Sequence, residues 1–157
     1  MPLLDLDSFP TLETNPKISA KLQIFRELLR ELKSRNLPES ALDSLNQPIK
    51  NLNDFLSQTS HDPSTIIKQI QGNQRKILKF LEKNLGLTTK NHYQNMWMPL
   101  GMSAFGLPFG VVFGIALENM AFLGLGLPIG MALGIAMGSG LDQKAAKEGK
   151  QLRFEPK

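Results

Sequence analysis

The sequence predicts an all-α protein: an N-terminal three-helix bundle followed by a two-helix transmembrane hairpin with glycine zippers. Residues 97–117 and 120–141 contain no charged side chain, and only Glu118 and Asn119 separate them. A helix of about 20 mainly apolar residues is long enough to cross a hydrocarbon core of roughly 30 Å. Upstream, three segments repeat apolar residues in steps of three and four, which is typical of helices with one buried face.

These patterns divide the chain into five parts. We expect an extended arm at 1–14, a cytoplasmic helical bundle at 15–86, a connector at 87–95, the transmembrane hairpin at 96–141 and a basic cytoplasmic tail at 142–157.

The predicted bundle has recognisable helix ends. Asn15-Pro16 and Asp62-Pro63 each combine a capping side chain with proline at the first helical position. Pro48 predicts a kink or a break in the second helix, and Gly86 ends the third. A bundle of about seventy residues has a small core. We therefore expect it to depend on self-association, on a partner protein or on the membrane surface.

The two spans of the hairpin are copies of one unit. Gly-Leu-Pro-Phe-Gly at 106–110 recurs as Gly-Leu-Pro-Ile-Gly at 126–130, and Gly-Ile-Ala follows in both. Residues four apart share a helix face, so each span carries a stripe without side chains, along which helices in lipid pack closely. The pattern leaves open whether a stripe packs on the sister span or on another copy. The stripes are formed by Gly106, Gly110 and Gly114 in the first span and by Gly126, Gly130, Gly134 and Gly138 in the second.

Few other residues of the hairpin stand out. Pro108 and Pro128 lie mid-span and predict a kink in each helix, through either a packing bend or a polar pathway. Tyr93 and Trp97, the single Tyr and Trp, are predicted to anchor the first span at the headgroup level. Glu118 is interpreted as a polar turn residue, and its alternative role is the mouth of a pore formed by several copies.

The distribution of charge predicts the orientation of the hairpin. The net charge is +4, with thirteen Lys and Arg against ten Asp and Glu in residues 1–95, and five against three from residue 142 onwards. Basic residues thus flank both outer ends of the hairpin, while its tip carries only Glu118. The positive-inside rule then places both termini in the cytoplasm.

The sequence lacks the residues that several kinds of functional site require. The chain has no cysteine, and its two histidines, His61 and His92, have no carboxylate at ligand spacing, so we predict no metal site. No Gly-Lys-Ser/Thr follows the glycines, and the spans contain no charged residue for a proton relay. We predict no catalytic residue, no cofactor and no nucleic-acid partner.

The stretch from Gly106 to Gly149, with its repeated glycine spans and lysine-rich end, resembles small bacterial glycine-zipper membrane proteins. The resemblance covers the last third of the chain and implies a bacterial inner-membrane location without a defined activity.

Three functional hypotheses follow. The first is a non-enzymatic membrane protein that lies in the lipid bilayer as a homo-oligomer, self-associates through the zipper and presents residues 15–86 to a protein partner. The second is a membrane-perturbing or pore-forming effector of the toxin or defence type. The third is a soluble form that stores the hairpin against the bundle before insertion.

Overall fold

The computed structural model describes residues 2–58 and 62–154, and it confirms the predicted all-α class. His61 lies outside the described residues. Two compact units are present. The first comprises the described residues of Met1–Leu87 and Leu152–Lys157, and the second comprises Thr88–Gln151. The chain therefore leaves the first unit at residue 87 and returns to it at residue 152.

The helices of the first unit begin and end largely where local sequence signals predict. Asn15 Oδ1 accepts a hydrogen bond from the Lys17 N–H at 3.0 Å, and Asp62 Oδ2 accepts one from the Ser64 N–H at 3.1 Å. Gly86 adopts φ 64° after the last helix, a conformation that glycine adopts without strain. The helices are α1 (Pro10–Glu13), α2 (Pro16–Lys33), α3 (Glu39–Leu56) and α4 (Pro63–Leu85).

Helix α3 continues through Pro48, so of the two predicted alternatives the break is excluded and the kink stays a prediction. Proline leaves the carbonyl four residues earlier without its helical partner. That carbonyl belongs to Ser44, an exposed residue, and water can bond to it there.

One hydrophobic core joins the elements of the first unit. Helix α4 packs against both α2 and α3, and the apolar stripes of all three helices are buried. The N-terminal arm adds to this core, because Leu3 and Leu6 are each only 7% exposed. The arm is thus docked, and within the predicted extended segment 1–14 residues 10–13 form α1.

The C-terminal residues 152–154 also belong to this core, which differs from the predicted basic tail. Leu152 and Phe154 are 1% and 5% exposed. The Glu31 carboxylate accepts hydrogen bonds from the N–H groups of Arg153 at 2.7 Å and Phe154 at 2.9 Å. Arg35 Nη2 lies 3.2 Å from the same carboxylate. Glu31 therefore attaches the returning chain to α2.

Glu31→Ala is expected to lower the free energy of unfolding of the first unit by about 2 kcal/mol, because two backbone donors lose a charged acceptor. The variant should also release residues 152–154, which limited proteolysis would detect. Glu27→Ala, at an exposed position on the same helix, is the control and should change the unfolding free energy by less than about 0.5 kcal/mol. Equal effects of the two substitutions would contradict the assignment.

Candidate functional site: the apolar helical hairpin

The second unit contains two helices that are long and apolar enough to cross a membrane, His92–Ala116 with 25 residues and Met120–Lys147 with 28. The first joins α5 (His92–Gly101), a π-helical turn (Met102–Gly106) and α6 (Leu107–Ala116). The second joins a 3₁₀ turn (Met120–Phe122) and α7 (Leu123–Lys147). Helix α7 thus ends beyond the predicted boundary at residue 141.

The two helices lie antiparallel and meet along their glycines. A methyl group added at Gly130 would lie 2.6 Å from the Gly106 Cα, and one added at Gly126 would lie 2.6 Å from the Gly110 Cα. Farther along α7, Gly138 faces the backbone of Gln94. A Cβ essentially never comes this close to a backbone atom, so only glycine fits here. The glycine stripes therefore face each other within one chain.

Gly101 also lies at this contact, although it does not fit the four-residue spacing by which the sequence analysis defined the glycine stripe. A methyl group added at Gly101 would lie 2.7 Å from the Gly134 Cα. Gly101 and Gly106 are five residues apart, and the π-helical turn between them closes with a hydrogen bond from the Leu107 N–H to the Met102 carbonyl. This i→i+5 turn absorbs the extra residue and brings Gly101 onto the glycine face.

The side chains of this unit are arranged inside out compared with a soluble domain. Between residues 97 and 141 the buried residues are the eight contact glycines, and only 22% and 17% of the most apolar windows of the two helices are buried. Among the described residues, sixteen of the seventeen exposed large hydrophobic side chains lie between Met96 and Leu141, and only Leu4 lies elsewhere. The exposed large hydrophobic side chains of the described chain are thus concentrated on the hairpin.

The three prolines of the hairpin have different local surroundings. Pro108 lies two residues after the end of the π-helical turn, and this wide turn is a common adjustment where a helix loses a hydrogen bond. Pro99 lies inside α5, whereas Pro128 lies inside α7, which has no interruption there. The kinks at Pro108 and Pro128 stay predictions.

Glu118 occupies the turn between the helices in a backbone conformation that favours glycine. Its φ is 48°, and its N–H donates to the Ile115 carbonyl while the Asn119 N–H donates to the Gly114 carbonyl. This pair of bonds is a Schellman motif, which caps the end of α6. Asn119 Oδ1 then accepts from the Ala121 N–H at 2.9 Å and starts the next helix.

Asp142 ties the open end of the hairpin together. It is 5% exposed on α7, and its carboxylate accepts from the N–H groups of Tyr93 at 3.0 Å and Gln94 at 2.9 Å. These donors belong to the first turn of α5, whose own capping position, Asn91, makes no side-chain cap. Asp142 therefore caps a helix from another part of the chain, and its negative charge complements the positive end of that helix.

The predicted interface anchors lie close to this cap. Tyr93 and Trp97 are one turn apart on α5, both partly buried, and the Trp97 carbonyl contacts Gly134. Near the two chain ends of the second unit, the Thr88 N–H donates to the Lys150 carbonyl at 3.0 Å. Lys150 Nζ also donates to Glu148 at 2.7 Å, which lowers the pKa of that carboxyl and raises the pKa of the amine.

Within the part of the chain that the structure describes, no three His, Cys, Asp or Glu residues lie close enough together to hold a metal ion.

Gly130→Ala is expected to destabilise the hairpin by about 1–3 kcal/mol, because the new methyl group overlaps the opposite backbone. Gly140→Ala is the matched control on the same helix, since open space surrounds Gly140. Alanine is favoured over glycine in a helix by about 1 kcal/mol, so the control should be neutral or stabilising. Trp97 fluorescence during SDS titration in mixed micelles would measure both. Similar unfolding curves would contradict the predicted contact.

Asp142→Ala is expected to expose the first turn of α5 and to cost about 1–2 kcal/mol. Amide hydrogen exchange at Tyr93 and Gln94 should accelerate, whereas Asp142→Asn, which keeps one oxygen acceptor, should have a smaller effect. If protection of these two amides is the same in all three proteins, Asp142 does not cap α5.

Comparison of the chain with models of protein families, with curated proteins and with solved structures finds no match. The resemblance to bacterial glycine-zipper proteins therefore stays a prediction.

Proposed function

We propose that the protein is a non-enzymatic integral membrane protein whose glycine-zipper hairpin anchors a helical docking unit. In this proposal residues 96–141 span the cytoplasmic membrane of a bacterium, and α2, α3 and α4 form a three-helix bundle that binds a partner protein in the cytoplasm.

The inside-out hairpin is the observation that carries the proposal. The large apolar side chains between Leu100 and Leu141 that point away from the glycine contact are 36–65% exposed. Soluble monomers rarely expose a continuous apolar surface larger than a few hundred Å². Lipid tails would cover this surface at no cost to the hairpin, since its backbone bonds are made within the two helices.

The division of the chain supports placing both ends of the hairpin on one side of the bilayer. The first unit contains residues from before Thr88 and residues from after Gln151. A folded unit cannot lie on both sides of a membrane, so the chain must cross an even number of times. The flanking lysines and arginines make the cytoplasm the side we propose.

The proposal includes association between copies. Both glycine faces are occupied by each other within one chain, so we assign contacts between copies to the outward apolar surface. A pore-forming effector would need a polar path along that surface. Within residues 97–117 and 120–141 the polar side chains are Ser103 and Ser139, and Ser103 donates to its own helix at the Leu100 carbonyl.

A lysine placed at different depths along the hairpin would test this proposal. Ile129→Lys lies near the middle of the second span and should reduce insertion by about 2.5–3.5 kcal/mol in a microsomal insertion assay. Met120→Lys, at the turn, is the matched control and should insert nearly as well as the parent. Both parental residues are exposed, at 40% and 65%.

Alkaline carbonate extraction supplies a second measurement, in which the parent protein should stay in the membrane pellet. Release of the parent into the supernatant, or equal insertion of the two lysine variants, would overturn the membrane-spanning proposal.

A further inference from the structure

The N-terminal arm, residues 2–9, occupies a groove between α2 and α3 in a manner that resembles a bound peptide. Every third residue faces the protein, since Leu3 and Leu6 are buried and Phe9 is partly buried, whereas the residues between them are exposed. A period of three is that of polyproline II, an extended conformation with no internal hydrogen bonds. The arm therefore depends on the groove for its backbone contacts.

Two asparagines of α3 supply these contacts. Asn46 Nδ2 donates to the Pro2 carbonyl at 3.1 Å, and its Oδ1 accepts from the Leu4 N–H at 2.8 Å. Asn53 makes the same pair of bonds three residues farther along the arm. Its Nδ2 donates to the Asp5 carbonyl at 3.0 Å, and its Oδ1 accepts from the Asp7 N–H at 3.2 Å.

The distance between Asn46 and Asn53 along α3 is close to the length of three residues of an extended peptide. They are seven residues apart on α3, which is about 10.5 Å along a helix. Three residues of polyproline II cover about 9.3 Å. Each amide side chain pairs with backbone atoms only, so these bonds require an extended chain without requiring particular side chains. The sequence preference must come from elsewhere in the groove.

Helix α2 supplies that preference through charge. Lys33 Nζ lies 2.5 Å from the Asp5 carboxylate. Arg26 Nη2 donates to the Asp7 carbonyl at 3.2 Å and to Glu13 at 2.6 Å. Lys33 thus contacts an acidic side chain of the arm, whereas Arg26 contacts the arm backbone and Glu13 of α1. The groove thus favours a segment with apolar residues at every third position and an acidic residue between them.

The groove has unfilled space beside the start of the described arm. A cavity of about 400 Å³ is lined there by Pro2 and Leu3 of the arm together with Leu32, Leu37, Leu42 and Lys33. A ligand with a larger side chain at the position of Pro2 would fill part of this cavity and add contacts there.

We propose that the α2–α3 groove is a peptide-binding site that the arm fills in cis, and that the partner protein binds it with an extended acidic segment of the same pattern. This inference rests on the proposed docking function, for which it names the partner's chemistry. The arm buries only Leu3 and Leu6 deeply, so a segment that also fills the cavity can displace it despite the arm's high local concentration.

A labelled peptide would test the groove directly. The probe is a synthetic peptide of residues 2–9 with a fluorophore after Phe9, and the receptor is the full chain lacking residues 2–7, in detergent. Fluorescence anisotropy should show saturable binding to this chain and at least tenfold weaker binding to the intact chain, whose own arm competes.

Matched peptides and receptors make the test specific. The peptide with Leu6→Ser should bind at least tenfold more weakly, whereas that with Leu4→Ser should bind like the parent, because Leu4 is 41% exposed. Asn53→Ala in the receptor should weaken binding about fivefold. If the deletion unfolds the first unit, the chain that keeps its arm with Leu6→Ser replaces it as receptor.

Equal binding of the two serine peptides, or no saturable binding to a folded receptor, would overturn the proposal. A chain that is dimeric only with its arm intact would instead indicate that the arm of a second copy fills the groove. These readouts need no membrane insertion, whereas carbonate extraction and the lysine variants test the anchor alone. Failure of the groove and failure of the anchor are therefore distinguishable.

Discussion

Direct contact between two glycine faces is the constraint on which the hairpin depends. Where backbones touch, no side chain fits between them, so the side chains of both spans must point outward. The outward side chains are large and apolar, and water is therefore a poor solvent for this surface. The close contact between the helices and the exposure of their large apolar side chains thus have the same cause.

The two units solve the problem of stability in opposite ways. The first buries leucine and isoleucine side chains from three helices, the arm and the C-terminal residues 152–154 in one core. The second buries glycines and leaves its leucines outside. The first arrangement gains stability from the exclusion of water, whereas the second relies on dispersion contacts, which remain available in lipid. We therefore expect the two units to be stable in different surroundings, the first in water and the second where its exposed leucines are covered.

Polar side chains that bind distant backbone recur throughout the molecule. Asp142 holds the first turn of α5, Glu31 holds residues 153–154, and Asn46 and Asn53 hold the arm. In each case a side chain on a regular helix supplies acceptors or donors to a segment that lacks them. These bonds determine where irregular chain attaches to regular structure.

The features that arise from local physics could be predicted from the sequence. Apolar periodicity predicted α2, α3 and α4, capping pairs predicted where α2 and α4 begin, and the two uncharged runs predicted two long apolar helices. The folded structure was needed to show that the glycine stripes face each other in one chain, that a π-helical turn brings Gly101 into that contact, and that Asp142 caps a helix 48 residues away. It also shows that Leu3 and Phe154 share a core. The physical reason is that caps and periodicity act within a few residues, whereas these contacts join positions whose separation in sequence carries no information about their distance in space.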